Sequence, residues 1–291
     1  MRSNNIKGVI FLVLASILMS TGGVFIKSID ANSMTIIFVR GLIAGGIFIP
    51  FIQWKKIKMS KSFVLLMLCY VYLNFSFVNA TRMTTAANAI ILQCAAPLWI
   101  YLYLLISKKK QLIYKEAIPR LAVLIGVLVI LFDPLNIGGP QATMGNWLAL
   151  SSGICYAVQQ YLMEKEYPIN NQSVVGLMNL SLAFVFILFF HNSIQVSEIS
   201  MNGWMSLIFL GVVQIGVAYL FLMRGIQHVS AMEASVIALL EPIFNPIFVY
   251  FFVGEVPSFY TILGFVLVLV GVLVTVTVNT KRDTNPIENT Q

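Results

Sequence analysis

Apolar runs of about 20 residues recur along this whole chain, and each is long enough to cross a hydrocarbon core of ~30 Å as a helix. Between their polar punctuation they fall near 6–27, 34–54, 62–81, 86–107, 117–133, 145–163, 173–191, 203–224, 231–253 and 258–279. Backbone in lipid must satisfy its own polar groups, so runs of this kind fold as helices. Composition agrees: 59% of the 291 residues are hydrophobic and 10% charged, against roughly 25% charged in soluble domains. The expected fold is an all-α membrane protein of ten transmembrane helices. The first run is too long for a signal-peptide core and is expected to remain as a helix.

A net charge of +7 would suggest nucleic acid in a soluble protein, but here the basic residues sit in short clusters between apolar runs, as in loops facing anionic lipid. Lys55, Lys56, Lys58, Lys61, Lys108, Lys109, Lys110, Lys115, Arg120, Lys165 and Arg224 fall on one side of the alternating spans, with Arg2, Lys7, Lys281 and Arg282; only Lys27 and Arg82 fall on the other. The bias places both termini in the cytoplasm. Separately, the membrane is expected to be the plasma membrane, the inner or cell membrane of a bacterium. Cys69, Cys94 and Cys155 all lie in apolar runs without metal-ligand spacing and read as packing residues. No metal or cofactor is expected. His191, His228 and the acids form no catalytic motif, so an enzyme is not expected.

The chain also repeats. SAMEASVIALLEPIFNPIFVYFFVGE (Ser230–Glu255) overlays TAANAIILQCAAPLWIYLYLLISKKK (Thr85–Lys110) with a shift of 145 positions. Ala86 then meets Ala231, Pro97 meets Pro242, and Gly126 meets Gly271. Residues 1–137 read as a first five-helix unit, 138–280 as a second, and 281–291 as a polar cytoplasmic tail. Five is odd, so the second unit inserts inverted. The loops agree: WKKIKMSKS answers to HNSIQVSEISMNG, and KKK to GEVPS, with opposite charge character. Inverted repeats are the architecture of secondary transporters, with the site at the midplane between them.

SAMEASVIALLEP closing on Gly254-Glu255, followed by the LGxxLxxxG of Leu263, Gly264, Leu267 and Gly271, resembles the second repeat of an EamA-type transporter of the drug/metabolite transporter superfamily. TTAANAIILQCAAP is similar to that family's first-repeat signature. The resemblance implies a ten-helix carrier whose central cavity is lined by the first four helices of each half. It implies export of amino acids, other metabolites or toxic compounds. The first copy departs from the pattern, with Lys109 and Lys110 where the second has Gly254 and Glu255.

Ionisable groups inside a membrane cost ~2.5–3.5 kcal/mol each, so each one asks for a reason. Arg40 lies about six residues, or ~9 Å, into the second span, and Glu241 lies near the centre of the ninth. A guanidinium fork suits a carboxylate, and a desolvated glutamate suits an ammonium or a coupling proton; the pair could hold a zwitterion. The competing reading is assembly, with Arg40 on a carboxylate or on carbonyls and Glu241 on backbone freed by Pro242. Pro97, Pro242 and Pro246 are candidate hinges. Asn74, Gln93, Trp99, Tyr156, Gln159, Gln160, Gln214, Tyr219 and Asn245 are candidate cavity polar groups, or else interhelical hydrogen-bonding groups. The reading is a secondary transporter exporting a small metabolite, most simply an amino acid or related compound, by alternating access. The alternative is a broad exporter of drugs or toxic amphipathic compounds. The expected partners are the bilayer, a small-molecule substrate, a proton as candidate coupling ion and a second copy in a candidate homodimer; nucleic acid is not among them.

Overall fold

The computed structural model describes residues 2–107, 114–133, 139–163, 165 and 167–284. The expected repeat boundary at 137/138, Lys108, Lys109, Lys110 and positions 285–291 of the tail lie outside them, as do the side chains of Arg2, Lys115, Lys281 and Arg282. The helices are α1 (Arg2–Ser20 continued by Gly22–Ser28), α2 (Ser33–Phe48), α3 (Lys61–Met83), α4 (Ala86–Gln93 continued by Ala96–Ile106) and α5 (Tyr114–Leu131). Then come α6 (Gly139–Met163), α7 (Asn171–Phe190), α8 (Met201–Ile208, the π-helical Phe209–Val217, and Ala218–Gly225), α9 (Ala231–Ala238 continued by Leu240–Val253) and α10 (Phe259–Thr284). Among the described residues eight helices are long and apolar enough to cross a membrane. The other two are α5, whose apolar part Ala117–Leu131 is shorter, and α6, which has the length but carries Gln141, Asn146, Gln159 and Gln160. Helix α10 runs on through Lys281 and Arg282 to Thr284, so the first part of the expected polar tail is helical.

Helix starts match across the two copies. Asn32 and Asn170, Ser60 and Ser200, and Thr85 and Ser230 each cap a helix by accepting the backbone N–H three residues on. Each side chain replaces a partner that the first turn lacks. Both α4 and α9 are interrupted one turn before a proline-bearing segment, at Cys94–Ala95 and at Leu239, 145 positions apart and just ahead of Pro97 and Pro242.

The halves interlock rather than sit side by side. Helix α3 packs along α6 as α8 packs along α1; α2 lies on α7, and α5 on α10. Contacts repeat down to single atoms. Gly126 and Gly264 face each other, and a Cβ on either would stand 2.7–2.8 Å from the other's carbonyl oxygen. The equivalent pair, Gly271 against the Pro119 carbonyl, is as tight, at 2.5 Å. Likewise the Ser16 hydroxyl donates to the Ile237 carbonyl, and Gly153 sits against the Leu92 carbonyl. These are close backbone approaches of the small-residue kind that lets membrane helices pack.

A methyl group at Gly264 has no room: besides the Gly126 carbonyl it meets Ile130 Cγ1 at 2.5 Å. Gly264→Ala is therefore expected to destabilise by ~1–3 kcal/mol through overpacking. Gly46→Ala, with nothing within 4 Å, should hold or gain up to ~1 kcal/mol from helix propensity. Melting of the two variants side by side in one detergent checks this.

One pair of helices departs from the symmetry. Helix α1 is interrupted at Thr21, whose hydroxyl turns back to the Leu18 carbonyl at 2.6 Å, and the facing part of α8 is π-helical. The related pair, α6 and α3, is unbroken.

Candidate functional site

A cavity of about 390 Å³ lies between the halves, walled by residues from the middle of α2, α3, α4 and α8 and from parts of α6, α9 and α10. On one wall stands Arg40, 4% exposed. Its Nη2 donates to Asn74 Oδ1. Asn74 Nδ2 in turn donates to the Tyr70 carbonyl at 2.9 Å, and Tyr70 Oη to Asn179 Oδ1 at 2.9 Å. Every group in this chain of bonds is neutral except the guanidinium, and among the described residues Arg40 Nε has no partner. The cation is positioned but not neutralised.

On another wall Glu241 occupies the first turn after the break in α9, beside Pro242. It lies within electrostatic reach of Cys94, Tyr156 and Tyr219. Among the described residues it has no ion pair, and the only one formed lies elsewhere. Between the walls stand Tyr219, Tyr156 with Gln160, and three further amides. Gln93 Nε2 reaches Ser152 Oγ at 3.3 Å and Gln214 Nε2 the Met19 carbonyl at 3.3 Å. The Oε1 atoms of Gln159 and Gln214 are buried without a donor among the described residues.

Arg40, Asn74, Gln93, Tyr156, Gln159, Gln160, Gln214, Tyr219 and Glu241 thus line one space, as do Pro97 and Pro242. Trp99, Asn245 and Pro246 do not. Trp99 packs into the apolar cluster built by α4, α5, α6 and α10. Asn245 faces α1, donating to the Ser20 carbonyl at 3.0 Å with its Oδ1 against Gly23; beyond Pro242 this face of α9 is covered by α1. Pro246 lies inside a continuous helix rather than at the break. Met19, Cys94 and Ser235 line the cavity as well, and apolar or small residue types carry no signal that would single them out.

One end of the bundle is sealed by polar contacts. Gly254 ends α9 in the left-handed conformation (φ 78°), which glycine adopts without strain, and the turn aims Glu255 back at the bundle. Glu255 pairs with Lys27 of α1 and accepts the Ala86 N–H of α4 at 2.6 Å, at a helix N-terminus that favours an anion. Lys27 also donates to the Thr84 carbonyl at 2.9 Å. Asn146 Oδ1 of α6 accepts from the Thr84 hydroxyl and from Asn88 Nδ2 at 2.7 and 3.2 Å. Thr261 of α10 bonds Asn88 Oδ1 at 2.8 Å, and Ser258 bonds Asp133. Arg82 donates to the carbonyls of Ile29 and Ala31 at 3.2 and 2.7 Å. On the same surface Asp30 accepts the Ser200 N–H at 3.1 Å, and its bonds to Ser200 hold its carboxyl below the usual range. None of these partners was marked as a site by the residue pattern, although Lys27 and Glu255 are opposite charges at helix ends on one side.

The other end is built differently. Glu233 stands where the first copy has Asn88, and it closes a local capping box on Ser230, with Asn5 reaching it at 3.4 Å. Lys165 donates to Ser62 at 3.0 Å. The cavity reaches toward this end through Gln160, Ser235 and Val276. The described residues hold no group of three or more His, Cys, Asp or Glu that could bind a metal ion.

The family model for the EamA-like transporter family matches the chain twice, over residues 6–132 and 143–277. An uncharacterized transporter of Archaeoglobus fulgidus is 24% identical over 90% of this chain and 94% of its own length. Another, of Clostridium kluyveri, is 24% identical over 98% of each. The uncharacterized transporter YxxF of Bacillus subtilis is 25% identical over 92% of this chain and 88% of its own. A crystal structure aligns with a TM-score of 0.61 over 95% of this chain and 98% of that one, at 16% identity, a likeness of fold alone. Two matches to one family model, on a helical bundle whose halves pack by repeated contacts around a polar cavity, lead to one conclusion: the chain is a multi-pass membrane protein of the EamA-like transporter family.

Proposed function

We propose that this protein is a secondary transporter of the plasma membrane that exports a small zwitterionic metabolite, an amino acid or related compound, by alternating access. The observation that carries the proposal is the pairing, in one cavity, of a buried guanidinium that among the described residues is held only by a neutral amide with a carboxylate that has no ion-pair partner among them. Uncompensated charges in a low-dielectric interior are costly, and a molecule bearing both opposite charges would compensate both at once. The size supports the same reading, because 390 Å³ is near the lower end of the ~300–1,000 Å³ of ligand pockets. That suits a metabolite better than a bulky drug. The second reading, a broad exporter of amphipathic compounds, draws on the aromatic lining of Tyr70, Phe77, Tyr156 and Tyr219.

In this reading all ten helices cross the membrane and both termini are cytoplasmic, as the Lys and Arg bias requires. The Lys27–Glu255 end then faces outward, and the cavity opens to the cytoplasm, where an exporter loads. The breaks ahead of Pro97 and Pro242 are the hinges of the rocking movement, and Glu241 is the group that would take a coupling proton. The test is counterflow in proteoliposomes containing only this protein. Saturable exchange of radiolabelled amino acids, unaffected by ethidium, is expected. Ethidium transport without amino-acid exchange would establish the second reading instead.

A further inference from the structure

The break in α1 lies between the cavity and the sealed end. Met19, just before it, lines the cavity. Lys27, ~12 Å of helix further on, pairs with Glu255. Three successive carbonyls at the break, those of Leu18, Met19 and Ser20, are each held by a side chain. Thr21 Oγ1 donates to the first at 2.6 Å, Gln214 Nε2 of α8 to the second at 3.3 Å and Asn245 Nδ2 of α9 to the third at 3.0 Å. Carbonyls at a helix end take partners from outside the helix, and two of these partners come from the second half of the chain. Gly22 and Gly23 leave them room: a Cβ on Gly22 would stand 3.1 Å from Gln214 Nε2, and one on Gly23 2.8 Å from Asn245 Oδ1.

Each amide is fastened by one atom. A carbonyl accepts only from a donor, so both turn a nitrogen to α1, and among the described residues Gln214 Oε1 and Asn245 Oδ1 are buried without a donor. A buried acceptor left unmade offsets much of what the other bond contributes. The first copy shows the satisfied arrangement. Counted from the capping serines Ser60 and Ser200, Gln214 answers to Asn74. Asn74 Nδ2 donates to the Tyr70 carbonyl of its own helix at 2.9 Å, and its Oδ1 accepts from Arg40. Both atoms are used without reaching α6, and α6 is unbroken. The two amides at the α1 break differ in one respect: Gln214 forms part of the cavity wall and Asn245 does not. Gln214 also sits in the π-helical stretch of α8, a register common at functional sites.

Resting on the transport reading above, we infer that Gln214 is the positioning residue that ties occupancy of the cavity to the α1 break. While its Oε1 has no donor, its Nε2 stays on the Met19 carbonyl and holds α1 against α8. An N–H or ammonium group of the transported molecule supplies the donor, draws the amide toward the cavity and frees the Met19 carbonyl. Asn245 then holds the break alone, Gly22–Ser28 gains freedom, and the Lys27–Glu255 seal can part.

The experiment is hydrogen–deuterium exchange over Gly22–Ser28, read by mass spectrometry on the whole protein in nanodiscs, for wild type, Gln214→Leu and Asn245→Leu. Each is measured with and without a mixture of the proteinogenic amino acids, whose binding is followed separately by thermal shift. Without the mixture both variants should exchange about fivefold faster than wild type, the factor that loss of one net hydrogen bond gives. The mixture should speed exchange in wild type and in Asn245→Leu and leave Gln214→Leu unchanged. Amides that only hold the fold predict faster exchange in both variants and no effect of the mixture on any. Should Gln214→Leu fail to fold, Gln214→Asn, one methylene shorter, takes its place. A Gln214 variant that exchanges like wild type, or responds to the mixture like wild type, would overturn the inference. Binding of the mixture with no change in wild-type exchange would overturn it too and leave the transport reading standing. No thermal shift with the mixture would overturn the amino-acid reading; ethidium, whose amino groups also donate, then serves as the probe, and no response to it would overturn the inference as well.

Discussion

Arg40→Gln should cut transport sharply while making the protein more stable, and the opposite signs are what make the result informative. A hydrogen-bonded charge contact to a substrate carboxylate contributes ~2–3 kcal/mol, so its loss is expected to lower transport efficiency about 30- to 150-fold. Arg40→Lys keeps the charge but not the fork and should fall between. The guanidinium is 4% exposed and, among the described residues, bonds only to the neutral Asn74 and leaves its Nε unpaired. Removing such a charge relieves a desolvation cost, and a higher melting temperature should follow. An arginine retained purely for assembly predicts the reverse pattern, a less stable protein whose folded fraction transports normally. Initial rates in proteoliposomes, normalised to folded protein, together with melting of the same preparations, separate the two.

The second large effect is expected at the sealed end. Lys27 and Glu255 are 17% and 16% exposed, between the surface pairs worth ~0–1 kcal/mol and the buried ones that cost ~3–5 kcal/mol to break. Glu255 also caps α4. Glu255→Gln should therefore shift the balance toward opening of that end by ~1–3 kcal/mol, a five- to 150-fold change in population. Cys94, which lines the cavity, serves as the reporter once Cys69 and Cys155 are replaced by serine. A membrane-impermeant maleimide added on the side proposed to be outer should label Cys94 faster in Glu255→Gln. Labelling should slow only in part in the exchanged pair Lys27→Glu with Glu255→Lys, which restores the pair but not the bonds to the Ala86 N–H and the Thr84 carbonyl. Unchanged labelling in Glu255→Gln would mean that the pair does not hold that end shut.

The helical architecture was legible because it rests on local rules. Lipid-length apolar runs act within one helix, and the shift of 145 positions between the copies shows in residue identities alone. The central cavity was legible through its polar residues, since a glutamine or arginine in an apolar run must be accounted for; nine of the eleven polar candidates line it. Asn245 and Trp99 were misplaced because spacing along a helix says which face a residue occupies but not which neighbour covers that face. For Asn245 the neighbour is α1, seated on the far half of α9. The seal at Lys27, Thr84, Ala86, Asn146 and Glu255 was not legible. Its partners are far apart in sequence, and two of them act through backbone atoms, which side-chain identity does not reveal.

The irregularity of α1 and α8 gives the molecule a soft side and a stiff one. A regular helix transmits displacement along its axis as a rod; an interrupted one, or one whose hydrogen bonds run in the π register, has turns that can rewind at modest cost. The α3–α6 pair is regular on both faces, and the α5–α10 pair is locked by carbonyl-to-glycine contacts with no room for a methyl group. Movement of one half against the other would then be taken up unevenly. The α5–α10 seam would act as the axle and α3–α6 as a rigid lever, while α1–α8 deforms like a spring. A carrier built from inverted repeats would thus have two strokes of different mechanical character: one that loads the spring and one that it returns.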